Sequence, residues 1–270
     1  MKIGIIGTGF VGFHTYQALK NDYNCICTVQ SAESYERLKS QNIPVFRVNG
    51  SDPSTFHPAL DDCSVFIIAV APRGRDYKST YLDLAKNLFK EKNRFHALKQ
   101  IIVISSTSVY LESQGSIVDE TSPLNHAESN PKILIETEKT YQNFSNDVRI
   151  SILRLGEIYG KERNLKEKLL SMQQKRLPGD GSQFTNIIHI DDIVSAITLC
   201  IQQHTNEVFN VVCDDHPTRK AFYTKLCQKY GFQMPIFDPT LFSSHGRNKL
   251  VSNNKIKQFG WIQHHPQIEL

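Results

Sequence analysis

Apolar and polar positions follow two alternating periods along most of the chain. Residues 3–6, Ile-Gly-Ile-Ile, form an uncharged run that predicts a buried strand. From Val11 the period changes, and Val11, Thr15, Ala18 and Leu19 fall on one side of a helix. The runs CICTV (25–29), PVFRV (44–48), VFIIAVA (65–71), IIVISS (101–106) and VRISILRL (148–155) predict further strands. Between them, AESYERLKSQ (32–41) and YLDLAKNLFKEK (81–92) have helical spacing, and Asp52-Pro53 reads as a helix start. Strands that are apolar throughout and alternate with helices specify a parallel sheet covered on both faces.

The second half is less regular. KERNLKEKLLSMQQKR (161–176) predicts a charged amphipathic helix whose alternating signs describe a solvated face, and LPGDGSQF (177–184) a turn-rich loop. NIIHIDDIVSAITLCI (186–201) passes from a strand into a helix capped by Asp191 or Asp192. EVFNVV (207–212) is a late strand, and TRKAFYTKLCQKYG (218–231) a helix ended by Gly231. No repeat, low-complexity tract or linker divides the chain.

Composition narrows the class. At 270 residues with 40% hydrophobic and 21% charged residues, the chain can bury a substantial core as an ordinary globular protein. Its net charge of +4 is small and dispersed, which argues against nucleic acid. No run approaches the ~18 apolar residues of a membrane span. The first strand begins at once and leaves no room for a signal peptide, so the expected location is cytoplasmic. The six cysteines, at 25, 27, 63, 200, 213 and 227, form no C-x-x-C pair and mostly sit in apolar runs, as small buried hydrophobes in a reducing compartment do. His264 and His265 have no partner ligands nearby in sequence, and no metal site is expected.

The stretch joining the first strand to the first helix, GTGFVG (7–12), carries the first chemistry. Strand, G-x-G-x-x-G, helix is the setting in which a dinucleotide pyrophosphate is cradled. Gly7 makes the tight turn, Gly9 lets the backbone approach the phosphates and Gly12 lets helix and strand pack closely. Thr8, Phe10 and Val11 complete the loop, and the helix N-terminus offers unpaired N–H groups to the anion. The fold expected is a Rossmann-type α/β protein, a doubly wound parallel sheet with helices on both faces. Residues 1–155 would form the NAD(P)-binding domain. Residues 156–270 would form mainly a small C-terminal substrate lobe, with 186–203 returning to the Rossmann body.

Six blocks in order resemble the extended short-chain dehydrogenase/reductases of the NAD(P)-dependent epimerase/dehydratase family: GTGFVG (7–12), VISSTSVY (103–110), LRLGEIYG (153–160), NIIHIDDIVSAI (186–197), FNVV (209–212) and NKIKQFGW (254–261). The resemblance runs from end to end. It implies a nicotinamide dinucleotide and chemistry beside the ends of the fourth to sixth strands. Family members place a serine or threonine three residues before the valine of a V-Y pair, which here is Ser106 before Val109-Tyr110. A hydroxyl there can hydrogen-bond a substrate oxygen as charge develops.

The family's working acid is a tyrosine followed four residues later by lysine, the lysine lowering the phenol's pKa. That pair is absent. Between Tyr110 and Tyr141 there is no tyrosine, and the expected stretch reads HAESNPKILIETEK (126–139). Matching the family glutamate to Glu138 places Asn130 and Leu134 at the two positions, whereas matching it to Glu136 places Glu128 and Lys132 there. Lys132 is therefore a candidate proton donor. Tyr16-Lys20 and Tyr35-Lys39 have the right spacing on helices at the adenine side, where such pairs are ordinary surface neighbours. His189-Ile190-Asp191-Asp192 could suggest a His/Asp catalytic pair, but the family equivalent begins a helix, where Asp caps backbone N–H groups, so a structural role is expected.

The second strand ends Thr28-Val29-Gln30-Ser31 without the carboxylate that grips the ribose 2′-OH of NAD. Gln30 and Ser31 can donate to a 2′-phosphate and Arg37 follows, which favours NADP. By resemblance, Asn49 takes the place of an adenine-contacting aspartate, and Ala69, Val70 and Ala71 pass under the ribose. Arg73 and Arg75 are candidates for holding an anion, beside the plainer role of solvated loop residues. The expected function is an NAD(P)-dependent oxidoreductase or epimerase/dehydratase-like enzyme on a small polar metabolite, with a homodimer as the candidate assembly. The other reading is a dinucleotide-binding sensor or scaffold that has lost the chemistry.

Overall fold

The computed structural model describes residues 1–72, 74, 76–144, 147–173, 175–241 and 248–269. Its first half runs β1 (Lys2–Ile6), α1 (Phe10–Leu19), β2 (Asn24–Val29), α2 (Ala32–Lys39), β3 (Val45–Arg47), β4 (Val65–Ile68), α3 (Leu84–Lys90), β5 (Gln100–Ser106), β6 (Ile117–Val118) and α4 (Ser129–Gln142). The second half runs β7 (Arg149–Leu155), β8 (Glu157–Tyr159), α5 (Leu165–Ser171), β9 (Arg176–Pro178), β10 (Ile187–His189), α6 (Ile190–Gln203), β11 (Val208–Val211), α7 (Arg219–Tyr230), β12 (Ile236–Asp238), β13 (Leu250–Val251) and α8 (Asn254–Gln258).

Among the described residues, seven strands form one parallel sheet in the order β11-β7-β5-β4-β1-β2-β3. The chain winds outward from β1 in both directions, so the sheet is the doubly wound Rossmann type. Its topological switch lies between β1 and β4, where a crevice opens at the carboxyl ends of the strands. Because the strands are apolar on both faces, each face has its own core. Ile3, Ile5 and Ile67 pack with Ile193 and Ile197 of α6, while Ile6, Phe66 and Ile101 pack with Leu84 and Leu88 of α3. Burial of such side chains is the main source of stability.

The parts of the chain beyond residue 155 that join this body extend past 186–203. β11 closes one edge of the sheet, and Ile256 of α8 and Trp261 enter the core beneath α6. The remainder forms a lobe in which β8 pairs with β10 and β9 with β12, around Leu165, Leu169, Leu177, Phe222 and Leu226. All six cysteines are free and buried, and burial pushes the thiol of Cys27 up to about 12.

Four local expectations need correction. The strand expected over 65–71 ends at Ile68, after which Ala69 still donates its N–H to Ile6. Asp52-Pro53 starts one 3₁₀ turn, Pro53–Thr55, capped by the Asp52 carboxylate on Ser54 N–H at 3.0 Å. The helix expected over 161–176 shrinks to α5, because the Asn164 side chain accepts from Glu167 N–H at 2.8 Å and fixes the first turn there. The cap of α6 is His189, whose Nδ1 accepts from Asp191 N–H. The Asp192 carboxylate instead accepts from His264 N–H at 2.6 Å and His265 N–H at 3.1 Å, which docks the C-terminal segment.

Candidate nucleotide and active site

The crevice is a cleft of about 790 Å³. Gly7, Thr8, Gly9, Phe10 and Val11 line it. Gly7 turns with φ +93°, and a Cβ there would meet Val70 at 2.8 Å, so no other residue fits between β1 and β4. Gly12 lies behind the loop, where a Cβ would stand 2.3 Å from the Gly7 carbonyl oxygen. The Gly7 and Thr8 amides bond Thr28 at 3.2 and 2.8 Å. No side chain caps α1, and its first intrahelical bond runs from Phe13 N–H to the Gly9 carbonyl. The amides of Phe10, Val11 and Gly12 therefore lack intrahelical partners and suit an anion.

Gln30, Ser31, Ser34 and Asn49 line the far end, across Val70 and Ala71, with Ala69 beside them. Gln30 Nε2 donates to Asn49 Oδ1 at 3.0 Å, and Ser31 Oγ accepts from Ser34 N–H at 3.2 Å as the cap of α2. Among the described lining residues no carboxylate stands at this end. Arg37 does not line the cleft; its guanidinium sits 5.9 Å from the Phe13 ring centroid. Arg73 and Arg75 lie outside the described residues.

Ser106, the last residue of β5, lines the middle of the cleft. Its Oγ accepts from Ser108 N–H at 3.1 Å, which leaves its hydroxyl hydrogen to donate. The adjoining Ser105 donates to Glu138 Oε1 at 2.5 Å. Glu138 is gripped by Arg154 through Nη2 at 2.7 Å and Nε at 3.2 Å, and Arg154 Nη1 reaches Tyr110 Oη at 3.0 Å. Tyr110 donates in turn to Asn210 Oδ1 at 2.6 Å, and burial pushes its phenol up to about 12. The tyrosine of the V-Y pair is thus held in a buried network behind the cleft.

That network fixes the rotation of α4. With Glu138 turned to Arg154, Leu134 one turn earlier is buried and lines the cleft. Asn130 is half-buried and is not a lining residue. Lys132, roughly 200° around the helix from Leu134, is exposed and is not among the residues lining the cleft. Tyr16 and Tyr35 do not line the cleft either.

Among the lining residues that sequence reading missed are Tyr77, Tyr81, Glu162 and Arg163. Tyr77 precedes and Tyr81 lies within a π-helical turn, Lys78–Asp83, that leads into α3. Their rings are 5.1 Å apart and pack beside Leu134, and burial pushes both phenols up, so they stay protonated at neutral pH. Neither carries a sequence signal. Glu162 and Arg163 come from the turn before α5. The Asn164-x-x-Glu167 start was legible and would have freed these two from the expected helix. Away from the cleft, His189, Asp191 and His265 bring ligand-type atoms within 4.8 Å of one another. Asp191 Oδ2 stands 3.5 Å from His189 Nδ1 and 3.4 Å from His265 Nε2, and His265 Nδ1 is held by Glu269 at 2.7 Å.

Comparison with known proteins places this geometry. Protein YeeZ of Escherichia coli strain K12 is 26% identical over 273 residues, covering 98% of this chain and 96% of its own. An epimerase family protein of Arabidopsis thaliana, the chloroplastic SDR39U1 homolog, is 26% identical over 135 residues, 48% of this chain and 38% of its own. A solved structure of a functionally unknown conserved protein from Silicibacter pomeroyi superposes with a TM-score of 0.81 at 22% identity, covering 98% of this chain and 94% of that one. UDP-glucose 4-epimerase of Thermotoga maritima, solved with UDP-glucose, gives 0.80 at 20% identity over the same shares. At these identities the solved structures speak for the fold. The profile of the NAD dependent epimerase/dehydratase family matches residues 5–212, most of the chain, and the protein belongs to that family.

Proposed function

We propose that the protein is an NAD(P)-dependent oxidoreductase or epimerase/dehydratase-like enzyme acting on a small polar metabolite without the Tyr-x-x-x-Lys relay. The observation that carries this reading is that the glycine loop and Ser106 line one continuous cleft. The N-terminus of α1 would hold the pyrophosphate of the dinucleotide, Gln30 and Asn49 would line its adenosine end, and Ser106 would stand at its nicotinamide end. When bound, the dinucleotide supplies a hydride donor or acceptor. Ser106 orients the substrate oxygen or nitrogen, and Leu134 occupies the place of the relay lysine. Protons come from water, and the Tyr77 and Tyr81 phenols, which burial keeps protonated, serve as hydrogen-bond donors at the cleft wall. Solved structures of UDP-glucuronic acid 4-epimerase from Bacillus cereus contain NAD, and one also holds UDP-glucuronic acid, which supports the substrate class in outline. The lobe after residue 155 selects the substrate, and a reducing, cytoplasmic setting suits six free thiols. The assembly in this reading is a homodimer.

NADP is the preferred cofactor, on the ground that Gln30, Ser31 and Ser34 offer donors where a carboxylate would repel a 2′-phosphate. Direct titration should give a lower Kd for NADPH than for NADH, and Ser31→Asp should reverse or erase the difference. A wild-type preference for NADH rejects the NADP assignment. Hydride exchange between labelled cofactor and a panel of small polar metabolites tests the enzyme itself.

A second reading is a dinucleotide-binding sensor or scaffold, favoured by Asn130 and Leu134 at the relay positions. It predicts tight cofactor binding with no isotope exchange for any metabolite tested.

A further inference from the structure

Among the described residues, the cleft carries one cation that the glycine loop does not account for. Among its described lining residues, Arg163 is the only Lys, Arg or His. It comes from the lobe, on a tight turn closed by Arg163 N–H to the Gly160 carbonyl at 3.0 Å. Two contacts lay this turn across α1. The Arg163 guanidinium stands 5.8 Å from the ring centroid of Phe10, the first residue of α1, and His14 Nε2 meets Glu162 Oε2 at 3.0 Å one turn further along.

The pairing of charges distinguishes the two neighbours. Glu162, the only acid among the described lining residues, already faces His14. The Arg163 guanidinium has no carboxylate or hydrogen-bond partner among the described residues, and the residue is exposed at the rim. An uncommitted guanidinium over the first turn of a helix whose amides are also unpaired places one whole positive charge beside a set of partial ones. A pyrophosphate carries two negative charges, and the helix end supplies about half of one positive charge. Phe10 gives the planar guanidinium a surface to lie on, which lowers the entropy lost when it engages an anion.

We propose that Arg163 clamps the dinucleotide pyrophosphate from the lobe side, so that the turn at 160–164 closes over the cofactor and couples its binding to the substrate lobe. This rests on the dinucleotide reading above. The ligand class is a dinucleoside diphosphate held by its bridging phosphates, and the charged group is recognised whether or not a nicotinamide is attached.

ADP-ribose, which keeps the pyrophosphate and lacks the nicotinamide, is the probe. Wild-type protein should bind ADP-ribose and NADPH in calorimetric titration. Arg163→Met, which keeps an apolar stem over Phe10, should weaken both by roughly 10–100-fold, the worth of a hydrogen bond to a charged group. Arg163→Lys should recover part of the loss. The plot of log Kd against log salt should be shallower for Arg163→Met, a change that loss of packing alone does not produce. If wild type binds and Arg163→Met matches it in affinity and salt slope, the clamp is wrong while the dinucleotide site stands. If wild type binds neither ligand, the dinucleotide reading falls and the clamp with it. Hydrogen exchange at 160–164 should slow on ADP-ribose binding in wild type and not in Arg163→Met; equal slowing in both would also overturn the clamp.

Discussion

Arg154 holds both carboxylate oxygens of Glu138, with Nη2–Oε2 at 2.7 Å and Nε–Oε1 at 3.2 Å, and each side chain is only 5% exposed. The pair joins β7 to α4 directly behind Ser105 and Ser106. Taking two charges out of water is costly, and their attraction offsets that cost only while both are present. Removing one partner leaves a buried charge unpaired. Glu138→Gln should therefore lower the unfolding free energy by about 3–5 kcal/mol. The double variant Glu138→Leu/Arg154→Met should be less destabilised than Arg154→Met alone. Urea denaturation of the three variants checks this, and a Glu138→Gln protein as stable as wild type would contradict the arrangement.

This ion pair also marks how far the chain could be read before its structure was known. Ser106 came from the family resemblance, and the parallel sheet and the glycine turn followed from local patterns, because a buried strand and a φ-positive turn are written in adjacent residues. The register of α4 was not, since Glu136 and Glu138 were equally good matches to the family glutamate. The contact with Arg154 of β7 is what turns Glu138 inward, and it spans 16 residues of sequence. Tyr77, Tyr81 and Arg163 were missed for a related reason. They reach the cleft from a π-helical turn and a lobe turn whose orientation depends on packing against α4 and α1.

The glycine loop gives a separate expectation. Gly9 lines the cleft immediately before the unpaired amides of α1. A valine side chain there would occupy the space assigned to the pyrophosphate. Gly9→Val should abolish NADPH binding while the circular dichroism spectrum and the melting transition remain those of a folded protein. A folded variant with unchanged affinity in calorimetry would show that the dinucleotide lies elsewhere.

The His189 and His265 rings lie with centroids 3.7 Å apart and planes tilted by 41°, and the two are shifted in opposite directions from the usual 6.5. Burial, then the charge of His265, lowers His189. For His265 burial also works downward, but the hydrogen bond and charge of Glu269 outweigh it and the net shift is up. A raised folded pKa stabilises fully below 6.5 and is lost as pH rises through the raised value. A lowered folded pKa acts the other way, with stability present above 6.5 and lost as pH falls through the lowered value. The C-terminal segment, docked on Asp192, should therefore be held best between the two titrations. Imidazole NMR signals should show His265 titrating above 6.5 and His189 below it, and the reverse order would refute the assignment.

The last expectation concerns the absent relay. Ser106 and Leu134 line the cleft, whereas Lys132 is exposed and does not. Chemistry in this site should depend on Ser106 and be indifferent to Lys132. Loss of one oriented donor costs ~10²–10³ in rate where it faces a developing oxyanion. The Ser106 hydroxyl is neutral and is already engaged by Ser108 N–H, so the loss for Ser106→Ala should fall at or below the lower end of that range. Lys132→Ala, Tyr16→Phe and Tyr35→Phe should each leave the chemical step unchanged, because none of the three lines the cleft. Single-turnover hydride transfer, measured with a substrate found by isotope exchange, separates these outcomes. If Lys132→Ala stops the reaction and Ser106→Ala does not, the proton path runs over the far face of α4 and the site drawn around Ser106 is not where chemistry occurs.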